Sequence, residues 1–133
     1  MANTLYVNIF SMKFLPLLLI SVTFNVTANI LLKKGVIAIG GITGEKSKII
    51  LEFSKVASSP FIVSGLILYG FSFLVWLRVL SSYDLSKSYP IFATIVFMFT
   101  SVGSFIFLKE PISLLRLLGI AVMLLGIIIV ART

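Results

Sequence analysis

The sequence predicts an all-α integral membrane protein, with four transmembrane helices plus an amphipathic interfacial helix between helices one and two. Three observations predict this fold. Of 133 residues, 59% are hydrophobic and only 11% are charged, whereas a soluble domain carries about 25% charged residues because its surface faces water. Four long apolar stretches divide the chain, and most basic residues flank them, which is where anionic headgroups place them. Lipid is therefore the expected solvent.

Each apolar stretch is long enough to cross a bilayer, because about 20 residues at 1.5 Å per residue span a hydrocarbon core of about 30 Å. We expect one membrane domain over residues 1–133 with spans at about Phe14–Leu32, Phe61–Leu80, Tyr89–Leu108 and Ile112–Ala131. A cleaved signal peptide is the alternative for the first stretch, but its apolar character continues to Leu32, which favours a retained helix. The distribution of Lys and Arg favours both termini outside, and dual insertion stays open.

The connections carry their own signals. Residues 45–57 have an apolar face, and Lys48, Glu52 and Lys55 take the opposite face. This pattern predicts an amphipathic helix at the membrane interface, although a solvated helix packed on the protein's own loops fits equally. Ser58-Ser59-Pro60 should end that helix and begin the second span. Between spans three and four, Pro111 should occupy the first helical position, which predicts a tight antiparallel hairpin.

Composition excludes several functions. The net charge of +7 belongs to membrane flanks, so we expect no nucleic-acid partner. The chain has no Cys and no His, which excludes disulfides and the usual zinc or haem ligands. No acid, base, nucleophile or metal set converges in the spans, so we expect no enzyme, no catalytic residue, no metal and no cofactor. No ionisable group lies mid-span, although proton-coupled transporters usually have one there.

Polar residues recur on one face of the first span: Ser21, Asn25 and Asn29 follow each other at i+4, and Lys33 extends the row. Amides facing lipid would be costly, so the row faces either a neighbouring helix or a polar pathway. In the fourth span, Gly119 and Gly126 share a face. They allow close helix contact, either inside the monomer or at a dimer seam.

Five segments, in order along the chain, resemble one family: 25–35, 76–80, 88–91, 109–113 and 118–126. They are similar to small four-helix, EamA-like members of the drug/metabolite transporter superfamily. The likeness is greatest to subunits that flip aminoarabinose-phosphoundecaprenol across the bacterial inner membrane. Small multidrug resistance transporters are more distantly similar. Those transporters carry a Glu where this chain has Asn25, and an amide cannot exchange protons, which argues against proton-driven cation export.

The resemblance implies a multi-pass subunit of the bacterial inner membrane that flips a polyprenyl-phosphate-linked sugar, working as a homodimer or as a heterodimer with a related subunit. The residues expected to bind the lipid-linked sugar are Ser21, Asn25, Asn29, Lys33, Lys34, Tyr69, Trp76, Arg78 and Tyr89. The amides and tyrosines would bind sugar hydroxyls, and the cations would attract phosphate. Two alternatives are a small multidrug or cation exporter, and a structural subunit that docks a membrane glycosyltransferase.

Overall fold

The computed structural model describes residues 13–133, and residues 1–12 of the predicted domain lie outside that range. Over the described residues the chain forms five α-helices and no strand: α1 Phe14–Ala38, α2 Ile49–Ser58, α3 Pro60–Ser82, α4 Leu85–Phe107 and α5 Leu114–Arg132. Helices α1, α3, α4 and α5 are long and apolar enough to cross a membrane. This confirms the all-helical class and the predicted number of spans, and it supports a multi-pass membrane protein.

Two helix starts follow from local capping. Ser59 accepts a hydrogen bond from the backbone N–H of Ile62, and Pro60 occupies the first turn of α3, so this boundary is confirmed. The expectation for Pro111 is wrong. Helix α5 begins at Leu114 because the Ser113 hydroxyl accepts from the backbone N–H of Arg116 at 3.2 Å, and a Ser side chain satisfies a helix end in a way that Pro cannot.

The turn between α4 and α5 has an unusual backbone. Lys109 adopts a φ of 56°, a left-handed conformation that costs a residue with a Cβ about 1–2 kcal/mol. The backbone N–H groups of Leu108 and Glu110 both donate to the carbonyl of Ser104, at 3.0 and 3.2 Å. The turn therefore ends α4 sharply and fixes the position of Glu110 next to the bundle.

Helix α1 is the centre of the bundle and packs against α3 and α4 through glycines. A Cβ on Gly65 of α3 would lie 2.9 Å from Leu32 Cγ, and one on Gly103 of α4 would lie 2.7 Å from Ile30 Cδ1. Small residues let membrane helices approach this closely, which replaces the hydrophobic driving force that is absent in lipid. At the opposite end, the rings of Phe14 and Tyr83 meet edge to face at 4.6 Å.

Helix α5 is peripheral. None of its residues is buried, and it packs on α4. A Cβ on Gly119 or Gly126 would meet no atom within 4 Å. In the described part of the chain these glycines therefore do not serve packing inside the monomer, and their face is open.

Helix α2 starts four residues later than predicted, and its polar side contacts the preceding loop. The Glu52 carboxylate accepts from the Thr43 hydroxyl at 2.5 Å, the Thr43 N–H at 2.8 Å and the Gly44 N–H at 3.2 Å. The apolar side is uncovered, since Ile50 is 86% and Phe53 73% exposed. The loop therefore contacts the polar face of α2, and the apolar face is exposed.

Candidate functional site

An open cleft of about 820 Å³ is lined by α4 from Tyr89 near its beginning to Leu108 just past its end. Helix α1 contributes Asn29 to Val36, and α5 contributes Arg116. Since a helix rises 1.5 Å per residue, the α4 lining extends over roughly 28 Å, close to the hydrocarbon thickness of a bilayer. The part of α4 that lines the cleft is therefore about as long as a membrane span.

Asn29 is the amide that lines this cleft. The Tyr69 hydroxyl donates a hydrogen bond to Asn29 Oδ1, and Asn29 Nδ2 donates to Asn25 Oδ1 at 2.9 Å. These two bonds fix the orientation of the amide and leave it one N–H and one lone pair for a ligand. Asn25 and Tyr69 are not among the lining residues. They therefore orient Asn29 by hydrogen bonds without lining the cleft themselves.

Ser21 has a different surrounding. It is fully buried and exchanges hydrogen bonds with Ser72 of α3: each hydroxyl donates to the other residue's backbone carbonyl. The polar row on α1 is therefore divided. Its first member joins two helices, and Asn29 and Lys33 line the cleft.

The sequence shows hydroxyl side chains on the third span, but the predicted site did not include them. Three of them line the cleft: Thr100, Ser101 and Ser104 of α4. Thr100 Oγ1 is buried and has no hydrogen-bond partner within residues 13–133. A buried hydroxyl without a partner pays a desolvation penalty that a bound polar group would remove. The available signal was the spacing of these hydroxyls at i, i+1 and i+4, which puts them on one face of an apolar helix.

Charged residues gather at the end of the cleft where α1 passes the α4–α5 turn. Lys33 Nζ lies 3.8 Å from Glu110 Oε1, with both side chains about half exposed. Arg116 lines the same cleft, and its Nη1 donates to the carbonyl of Pro111 at 3.3 Å. Lys34 is not a lining residue; its ammonium lies 5.9 Å from the ring centroid of Phe107, a cation–π contact.

Aromatic residues mark the other end. Trp76 of α3 lies 4.5 Å from the Phe92 ring and 6.3 Å from the Tyr89 ring, centroid to centroid. Tyr89 and Phe92 line the cleft, and Trp76 supports them from behind. Arg78 donates to the Ser81 hydroxyl near the end of α3. The bundle therefore separates Arg78 from Lys33, and the two cannot bind one phosphate in a single chain.

Comparison with known proteins gives partial matches. No family model and no solved structure matches the chain. It is 36% identical over 74 residues to uncharacterized protein y4nH of Sinorhizobium fredii, covering 56% of this chain and 63% of that protein. It is 33% identical over 70 residues to the probable 4-amino-4-deoxy-L-arabinose-phosphoundecaprenol flippase subunit ArnE of Proteus mirabilis, covering 53% and 61%. The protein of that name from Pseudomonas savastanoi pv. phaseolicola is 38% identical over 63 residues, covering 47% and 54%. The matches thus span between 54% and 63% of these relatives' lengths.

Proposed function

We propose that this chain is a subunit of a membrane transporter that flips a polyprenyl-phosphate-linked sugar across the bacterial inner membrane. The observation that carries the proposal is the cleft, which combines a cationic end, an oriented amide with neighbouring hydroxyls, and apolar walls. The partial matches to proteins named as flippase subunits support the same function.

The cleft suits an amphiphile because polar and apolar side chains line the same space. Lys33 would attract the phosphate as a point charge. Asn29 and Thr100 would bind sugar hydroxyls, because each keeps hydrogen-bonding capacity that the protein does not use. Apolar residues such as Val96 and Phe97 line the same space and would contact the first units of the polyprenyl chain.

Movement of the headgroup through the bilayer would use the length of the cleft. A bare sugar phosphate in hydrocarbon loses its hydration, and the cost is many kcal/mol. Polar side chains spaced along the cleft would replace water step by step, from Lys33 past Asn29 toward Tyr89 at the other end. The remaining candidates would act around this path: Asn25, Tyr69 and Trp76 as supports, and Lys34 and Arg78 at the two membrane surfaces.

Assembly is part of the proposal. Four transmembrane helices hardly enclose a pathway, and the cleft is open rather than enclosed. Helix α5 presents Gly119 and Gly126 on an uncovered face, which allows close contact with another helix. A second copy, or a related subunit, would therefore pack along α5 and help to close the pathway.

Helix α2 would lie at the membrane surface. Its exposed Ile50 and Phe53 would enter the headgroup region, and Lys48 and Lys55 would meet anionic lipid. The contact of Glu52 with Thr43 and Gly44 holds the loop on the polar side of α2, which keeps the apolar side available.

Photo-crosslinking tests whether the lipid-linked sugar occupies the cleft. A benzophenone amino acid at Phe97, which lines the cleft, should crosslink a radiolabelled undecaprenyl-phosphate sugar, and excess unlabelled ligand should suppress the product. The matched control is the same probe at Phe73, an exposed aromatic residue outside this cleft. At Phe73 most crosslinks should form with phospholipid. Equal, non-competable labelling at both positions would contradict the proposal.

A further inference from the structure

The charged end of the cleft contains an ion pair that is long and partly exposed. Lys33 of α1 and Glu110 of the α4–α5 turn are 3.8 Å apart, with side chains 51% and 40% exposed. Charge-assisted hydrogen bonds are normally about 2.7–2.9 Å long, so this pair is a loose contact. Exposed pairs of this kind are weak and easily separated.

The backbone of Glu110 is nevertheless fixed by the turn. The N–H of Glu110 donates to the Ser104 carbonyl at 3.2 Å, and the preceding Lys109 adopts a left-handed conformation that disfavours side chains with a Cβ. Such backbone strain often marks a functional position. The turn thereby presents an anion to a site that also contains a second cation, Arg116.

A carboxylate and a phosphodiester are alike in the features that matter here. Each carries one negative charge over two oxygens, and both are recognised by Lys and Arg. The Arg116 guanidinium can bind such a group through two N–H donors. Arg116 also lies in the first turn of α5, where the helix dipole favours an anion.

We propose that Glu110 is an internal counter-ion that occupies the anion site of the cleft, and that a monoanionic phosphodiester headgroup displaces it to bind Lys33 and Arg116. This inference rests on the proposed function, because it takes the cleft as the ligand site. Because the headgroup must break the Lys33–Glu110 pair, it binds more weakly than it would to the same site without Glu110. The same pair re-forms when the headgroup leaves, which favours release.

Binding of a simple probe tests the role of Glu110. Tritiated dodecyl propyl phosphate, a phosphodiester with one negative charge, is titrated against the purified full chain in maltoside micelles by scintillation proximity. Dodecyl propyl ether is the uncharged reference ligand. Glu110→Gln should bind the phosphodiester about two- to fivefold more tightly, the range expected for an exposed ion pair. Lys33→Gln and Arg116→Gln should bind it more weakly.

Glu45→Gln is the matched control, since it removes a carboxylate that pairs with Lys48 at 3.1 Å away from the cleft; its affinity should equal that of the wild type. Glu110→Asp withdraws the charge by one methylene and should give a smaller gain, which keeps the test usable if Glu110→Gln folds poorly. Equal or weaker binding by the Glu110 variants, with the wild type binding normally, would overturn the counter-ion. Wild-type binding no better than to the ether would instead overturn the proposed function.

Discussion

Ser21 of α1 and Ser72 of α3 exchange hydrogen bonds in both directions: the Ser21 hydroxyl donates to the Ser72 carbonyl at 3.0 Å, and the Ser72 hydroxyl donates to the Ser21 carbonyl at 2.9 Å. Both residues are buried. Since each bond joins a side chain to the other helix's backbone, the pair fixes how far α1 is shifted along α3. The pair thereby places the Tyr69 hydroxyl of α3 level with Asn29 of α1, where the two form a hydrogen bond.

Ser21→Ala should lower the free energy of unfolding by about 0.6 kcal/mol, and by no more than about 1.7, the range for hydrogen bonds between membrane helices. Unfolding by dodecyl sulfate in mixed micelles measures this. Thr23→Ala is the control, because the Thr23 hydroxyl is exposed and bonds the carbonyl of Leu19 in its own helix. A loss of stability in Thr23→Ala as large as in Ser21→Ala would contradict the role of the serine pair.

Asn29→Leu should weaken binding of an undecaprenyl-phosphate sugar up to roughly tenfold, because hydrogen bonds contribute about 0.5–1.5 kcal/mol each. Asn25→Leu and Tyr69→Phe should have smaller effects, since these residues reach the ligand only through Asn29. Asn29→Leu should also lower the free energy of unfolding, by about 0.6 kcal/mol, because the hydrogen bond from Tyr69 to Asn29 joins α3 to α1. The expected order would be wrong if Asn25→Leu reduced the affinity more than Asn29→Leu.

Gly126→Leu should reduce crosslinking between subunits in lipid and leave monomer folding intact, because a side chain there meets no atom of its own chain. Gly103→Leu is the contrasting variant. A Cβ there would lie 2.7 Å from the end of the Ile30 side chain, so this variant should lower the free energy of unfolding by about 1–3 kcal/mol through overpacking. If Gly119→Leu and Gly126→Leu both leave crosslinking unchanged, the subunits meet at another surface.

The contact between Glu52 and its loop should depend on pH. Hydrogen bonds from the Thr43 hydroxyl, above all, and from backbone N–H groups lower the pKa of the Glu52 carboxyl. Since the folded-state pKa lies below the unfolded value, the contact stabilises the loop above the unfolded pKa and is lost as pH falls through the folded pKa. An NMR titration of the Glu52 carboxyl carbon should show a lower pKa in the wild type than in Thr43→Val. Identical values would contradict the contact.

Local signals were enough to predict parts of the fold. Ser59-Pro60 marks the beginning of α3 because capping depends only on neighbouring residues. The end of α1 could not be placed in the same way. Lys33 and Lys34 end the apolar stretch, but a helix depends on backbone hydrogen bonds rather than on hydrophobicity, and α1 continues to Ala38.

The site was predictable where it follows one helix. Asn29 and Lys33 share a face of α1 by their i+4 spacing, and both line the cleft. The parts formed by several helices were not predictable. Glu110 reaches Lys33 only because the left-handed Lys109 turns the chain there, and the separation of Arg78 from Lys33 follows from how α3 packs on α1.

Transport by the purified protein tests the central claim most directly. Proteoliposomes containing the chain, alone or with a related subunit, are loaded with a fluorescent undecaprenyl-phosphate sugar, and a membrane-impermeant quencher reports the fraction exposed outside. We expect translocation well above protein-free vesicles, with a marked loss in Asn29→Leu and none in Thr23→Ala. Translocation at the protein-free rate in both subunit compositions, together with efflux of cationic dyes driven by a pH gradient, would contradict the account and support the exporter.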